Sequence, residues 1–140
     1  MTGPTLGQVI PYRYVWSHER AAGATEGRKD RPCVIAIVRP HPSGVVLVWV
    51  SPITHRTPDT PEGAIELPRR TRRRLGLDEG RSWIIATELN RFAWPGFDLG
   101  RTPDGRDAFG ELPRPLFEAL LQRIDERRRQ GRLAQIGRDG

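Results

Sequence analysis

Two apolar runs constrain this chain more than any other feature. Pro32–Val38 (PCVIAIV) and Val45–Val50 (VVLVWV) are each of strand length and almost free of polar residues. Between them lies only RPHPSG, a stretch of turn-forming residues. β-branched side chains lose rotamer freedom in a helix and pack well on a pleated surface. The pair therefore predicts a β-hairpin at the heart of the core.

The flanking sequence extends that hairpin into a mainly β domain. Gln8–Trp16 (QVIPYRYVW) mixes β-branched and aromatic residues and predicts a first strand, with Pro11 confining it to an edge or a bulge and to one-sided pairing. SHERAAGATEGRKD, residues 17–30, has no apolar periodicity and predicts a mobile polar flap. SPITHRTPDT reads as loop, Ala64–Leu67 (AIEL) as a short strand with Glu66 turned outward, and Pro68–Leu75 as a helical turn ending in the glycine-bearing LGLDEG. Ser82–Leu89 (SWIIATEL) supplies the last long strand. Residues 93–112, rich in Gly and Pro, form an ordered loop anchored by Phe92, Trp94 and Phe97. From Pro113, Leu116, Phe117, Leu120, Leu121 and Ile124 repeat at helical spacing, and Arg127, Arg128 and Arg129 follow where cations suit the helix dipole. One domain over residues 1–140 is expected: a small barrel over about 6–92, the loop 93–112, and a C-terminal helix over about 113–130.

Composition narrows the setting. No stretch approaches the ~18 apolar residues that span a bilayer, and the N-terminus lacks the charged-then-apolar order of a secretion signal. A single cysteine, Cys33, permits no internal disulfide and no multi-cysteine metal site, so a cytoplasmic, membrane-free protein is expected. Net charge is +6 and the pI about 10.8, a balance that attracts polyanions. Lys29 is the only lysine, and the arginines concentrate at Arg69–Arg74 and near the C-terminus.

Three segments carry a recognisable order. Glu26 precedes Arg31-Pro32 by five residues, Ser51-Pro52-Ile53-Thr54 ends a strand, and Thr87-Glu88-Leu89-Asn90-Arg91 ends a later one. In this the chain resembles the MazF/PemK family of toxin–antitoxin ribonucleases, over roughly residues 6–92. The resemblance implies an SH3-like barrel with a C-terminal helix, a homodimer, cleavage of single-stranded RNA without metal or other cofactor, and inhibition by a cognate antitoxin. It assigns catalysis to Arg31, Glu26, Thr54 and Glu88. Glu88 departs from the Asp common at its position, and LPRRTRRRLGLDEG and FAWPGFDLGR are peculiar to a divergent, PemK-like branch.

The chemistry fits those residue types. Metal-free RNA cleavage uses the ribose 2′-hydroxyl against its own phosphate and needs a base, an acid and cations on the phosphoryl oxygens. A guanidinium presents a fixed fork of donors to phosphate and stays charged, so Arg31 is the transition-state stabiliser, unless it is merely spent in an ion pair with Asp30 or a strand-end carboxylate. Glu26 and Glu88 are the candidate bases. Thr54 either bonds a phosphate oxygen or only closes its own turn. Candidate RNA contacts are Arg28, Lys29, His55, Arg91, Arg72 and Arg73, although the Arg69–Arg74 run equally suits a solvated face or an acidic partner. His55 and His18 are of the side-chain type that changes charge nearest neutral pH. Trp49 and Trp83 belong to apolar strands and the core; Trp16 and Trp94 remain as base-stacking candidates. Cys33 reads as a small buried hydrophobe, not a nucleophile. Because fold does not fix function, a non-catalytic protein on the same barrel is the alternative: a decayed toxin, a topoisomerase poison or an RNA-binding module.

Overall fold

The computed structural model describes residues 3–25 and 27–138. In chain order its elements are β1 (Gln8–Tyr12), α1 (Ser17–Ala21), β2 (Arg31–Pro40), β3 (Val46–Thr54), β4 (Ala64–Glu66), α2 (Arg69–Leu75), β5 (Trp83–Ile85), β6 (Glu88–Ala93), β7 (Gly110–Glu111), α3 (Arg114–Arg129) and β8 (Ala134–Gly137), with a 3-10 turn at Pro61–Gly63. The described residues are mainly β, and the strands join in one curled, mostly antiparallel sheet.

The predicted hairpin is its centre. β2 and β3 pair from Cys33–Pro52 to Pro40–Val46, and Ala36 is an extra residue between the Ile35–Val50 and Ile37–Trp49 pairs. Such a bulge bends its strand and increases the twist. The outer edge of β3 is divided: Leu47–Val50 pair with β6, and Ile53 and Thr54 pair with β5. On the other side β2 carries β1 and β1 carries β7, while β4 lies on β5 and β8 runs parallel to β6.

Both faces of this hairpin are covered, which is why its apolar runs lack the polar alternation of a half-wet strand. Val34, Ala36 and Ile53 pack with Leu75 of α2 and with Leu120 and Ile124 of α3. Cys33, Ile35, Val48 and Val50 pack on the opposite face with Tyr12, Tyr14 and Phe92. Burial pushes the Cys33 thiol far above its ordinary pKa, so it stays protonated and inert. α2 ends at Gly76, whose φ of +70° is the left-handed cap that glycine adopts without steric cost. No helix among the described residues is long and apolar enough to cross a membrane.

Several elements depart from the sequence expectation. Ser82–Leu89 is not one strand: it breaks at Ala86–Thr87, where the Ala86 N–H is diverted to the Gly63 carbonyl at 2.7 Å. The polar flap contains a helical turn, α1, whose start is tied by the Trp16 N–H to Glu19 Oε1 at 2.9 Å. Pairing at β1 is two-sided, with β7 and the Tyr12–Leu99 bridge on its second edge, and the Pro11 carbonyl accepts from the Gly100 N–H. Phe97 is 90% exposed and anchors nothing; the 93–112 loop is held by buried Phe109 and by backbone bonds such as Arg13 N–H to the Asp98 carbonyl. Trp49 is only half-buried, its Nε1 donating to Gln135 Oε1 at 3.0 Å. After α3 the chain turns at Gly131 and returns as β8, a strand the sequence did not announce.

β8 delivers Arg138 into the molecule. Its side chain is 2% exposed, with Nη2 2.6 Å from Asp98 and Nη1 donating to the Arg13 carbonyl and to Asn90 Oδ1. Arg138→Met leaves Asp98 without its buried partner, so unfolding free energy should fall by about 3 kcal/mol in urea denaturation. Arg129→Met, which breaks only an exposed pair with Asp125, should leave the midpoint in place.

Candidate functional site

Where β5 and β6 separate, a cleft of about 590 Å³ opens. Arg31 at the start of β2 and Thr54 at the end of β3 lie on its wall, because antiparallel pairing brings the start of one strand beside the end of the next. Trp16, His18 and Glu88 line it from the side of α1 and β6, and Arg56, Asp59 and Thr60 from the loop after β3.

Arg31 is the most distinctive group. Its guanidinium lies over the Trp16 indole, 5.0 Å from the ring centroid, and its Nε is buried without a hydrogen-bond partner. Asp30 does not neutralise it, being paired with Arg13 at 3.3 Å, and no carboxylate among the described residues forms an ion pair with Arg31. An aromatic face orients a guanidinium without satisfying its donors. Trp16 is itself braced by the Tyr14 ring at 5.1 Å and stacks with His18 at 6.4 Å.

Glu88 has a different position from that of a free base. Its carboxylate accepts from Tyr14 Oη at 3.1 Å, from the Ser17 N–H at 2.9 Å and from Ser17 Oγ at 2.8 Å. Burial, with the Glu88 charge beside it, pushes the Tyr14 phenol well above its ordinary pKa, so it remains a donor. Two residues on, Asn90 accepts from the Val15 N–H and donates to the Val15 carbonyl. β6 thus docks the segment that carries Trp16 and α1. Thr54 Oγ1 accepts the Arg56 N–H at 3.1 Å and closes the turn, which leaves its hydroxyl hydrogen for a ligand in the cleft.

Of the remaining predicted residues, Arg28 and Lys29 line the cleft, Arg28 in an exposed contact with Glu19 at 3.4 Å. Glu26 lies outside the described residues. Gly27, beside it, packs so closely on the Arg13 and Tyr14 carbonyls that no side chain fits there. His55 faces an adjoining hollow: Nδ1 donates to the Arg81 carbonyl at 2.9 Å, and Nε2 lies 3.9 Å from Asp78. Arg91 points into a separate hollow with His41 and Arg138. Arg72 donates to the Gly80 carbonyl and Arg73 is exposed on α2; neither lines the cleft.

No protein-family model matches the chain, and no curated protein matches it. The cleft is thus defined by its own chemistry: an oriented, unneutralised guanidinium, a hydroxyl, an imidazole and a surplus of cations around one opening. Arg56, Asp59 and Thr60 escaped the sequence reading, although they directly follow Thr54 in a loop stiffened by Pro58 and Pro61. Among the described residues no group of three or more His, Cys, Asp or Glu side chains is placed to hold a metal ion.

Glu88→Gln keeps the shape but removes one acceptor from three donors. Stability should fall by about 1–3 kcal/mol, and amide exchange should accelerate at Val15–Ala21 while the β2–β3 hairpin stays protected, as read by hydrogen exchange.

Proposed function

We propose that this protein is a metal-independent endoribonuclease, a toxin of the MazF/PemK type on a small SH3-like barrel, which cuts single-stranded RNA at the Arg31 cleft. The reading includes a homodimer and a cognate antitoxin, as the sequence resemblance implies. The observation that carries it is Arg31: a guanidinium with a buried, unpartnered Nε, oriented by Trp16 and facing a cleft of nucleotide-accommodating size.

In this reaction the ribose 2′-oxygen loses its proton to a base and attacks the adjacent phosphorus. The bond to the 5′-oxygen breaks, that oxygen takes up a proton, and the products are a 2′,3′-cyclic phosphate and a 5′-hydroxyl. Arg31 donates to the phosphoryl oxygens as charge accumulates on them, which is where fixed donors are most effective. Thr54 donates to the same phosphate. The base is Glu26, one of the two carboxylates the sequence offers for that role, or His18 on the cleft wall; Glu88, the other carboxylate, has its oxygens occupied and acts through the segment it docks. Trp16 offers a face on which a base stacks.

One observation favours a second reading. With both oxygens of Glu88 occupied, the cleft can bind RNA without cutting it, as a decayed toxin or RNA-binding module does. Incubation of the protein with a labelled single-stranded RNA pool in EDTA separates the two. Discrete fragments with cyclic-phosphate ends are expected, with Arg31→Ala slowing cleavage at least about 100-fold. Salt-sensitive binding without fragments would establish the binding protein instead.

A further inference from the structure

A second hollow, of about 290 Å³, lies against α3. Thr60 lines both this hollow and the cleft, so the two are separated only by the rim at Thr60–Gly63. Arg123 builds that rim: its Nη1 donates to the carbonyls of Pro61, Glu62 and Ala64 at 3.0–3.2 Å. Beyond it stand Arg127 and Arg132, neither in an ion pair among the described residues. Arg127 Nε is buried and has no hydrogen-bond partner, the same condition as Arg31 Nε in the cleft. Glu62 and Glu126 also line the hollow, Glu126 Oε1 accepting from the Gln130 amide at 3.0 Å, so the guanidiniums of Arg123, Arg127 and Arg132 exceed its carboxylates by one.

We propose that Arg127 and Arg132 form a second phosphate site, which holds the RNA backbone where it leaves the cleft across Thr60. The inference rests on the ribonucleic-acid reading of the cleft and adds to it a footprint longer than the cut site. RNA fits better than an acidic protein because the hollow continues the cleft, and because a guanidinium fork with a free Nε matches two oxygens of one phosphate. Each phosphate held on a single strand contributes about 0.7 to the slope of log affinity against log salt.

The test uses 2′-O-methyl oligouridylates, which bind but cannot be cut: a trinucleotide sized for the cleft and a dodecanucleotide that also crosses the rim. Arg127→Gln/Arg132→Gln should weaken the dodecanucleotide about tenfold and flatten its salt slope by about 0.7, leaving the trinucleotide unchanged. Equal melting temperatures show that the fold is intact. A dodecanucleotide that binds with undiminished affinity, or equal weakening of both, overturns this site and leaves the cleft reading standing. Polyglutamate that displaces the dodecanucleotide as well as RNA does also overturns it, in favour of an acidic protein partner. Wild-type protein that binds neither oligonucleotide overturns both readings.

Discussion

β6 holds the molecule's site together through two side chains that behave like backbone. Glu88 accepts three hydrogen bonds from Tyr14 and Ser17, and Asn90 exchanges a donor and an acceptor with Val15. Segment 14–17 is not a strand, so its polar groups lack a ladder and would be buried unsatisfied without these partners, at about 1–3 kcal/mol each. Buried networks of this kind are stable only when nearly complete. Asn90 also receives Arg138, so the docking of Trp16 and the docking of the C-terminal strand share one residue. The orientation of Arg31, which follows Trp16, therefore depends on a side chain in another strand.

The cleft itself arises from a fault in the sheet. β3 exchanges one neighbour for another at Ser51–Pro52, and the chain between β5 and β6 must cross that gap. Ile85, Thr87 and Gly63, all at the break, line the cleft. Had residues 82–89 formed one strand, the opening would be closed by a continuous edge. Gly63 has the matching constraint on the far wall, since any side chain there would meet the Thr87 methyl.

What was legible in the sequence was what local pattern decides. The hairpin shows because both its faces are buried, α3 because Leu120 and Ile124 fall four apart on a wet helix, and the end of α2 because Gly76 takes a left-handed conformation. α1 and β8 do not show, because distant partners hold them: α1 by Glu88, and β8 by one buried Ile136 and the Gln135–Trp49 bond. In the site, Arg31 and Thr54 are legible because the order of the motifs puts them at strand ends, and Arg28 and Lys29 because they lie in the flap just before Arg31. The resemblance groups Arg91 with Glu88, yet an offset of three along a strand puts two side chains on opposite faces. Arg72 and Arg73 were named for charge alone, which gives no direction.

Burial and pairing, not charge, separate the useful arginines from the abundant ones. All but one of the 23 basic residues are arginine, and many stand in exposed pairs: Arg114 with Glu118, Arg128 and Arg129 with Asp125, Arg81 with Glu66. Such pairs contribute little, because water screens them and two long side chains must be ordered to make them. A buried guanidinium nitrogen with no acceptor is a different matter, since the fold carries its desolvation cost without return. Among the described residues only Arg31 and Arg127 have one, and each of these side chains lines an opening large enough for an acceptor to enter. A phosphate oxygen arriving there gains a hydrogen bond to a donor already stripped of water and held in place. The cost borne by the free protein thereby becomes affinity for the anion.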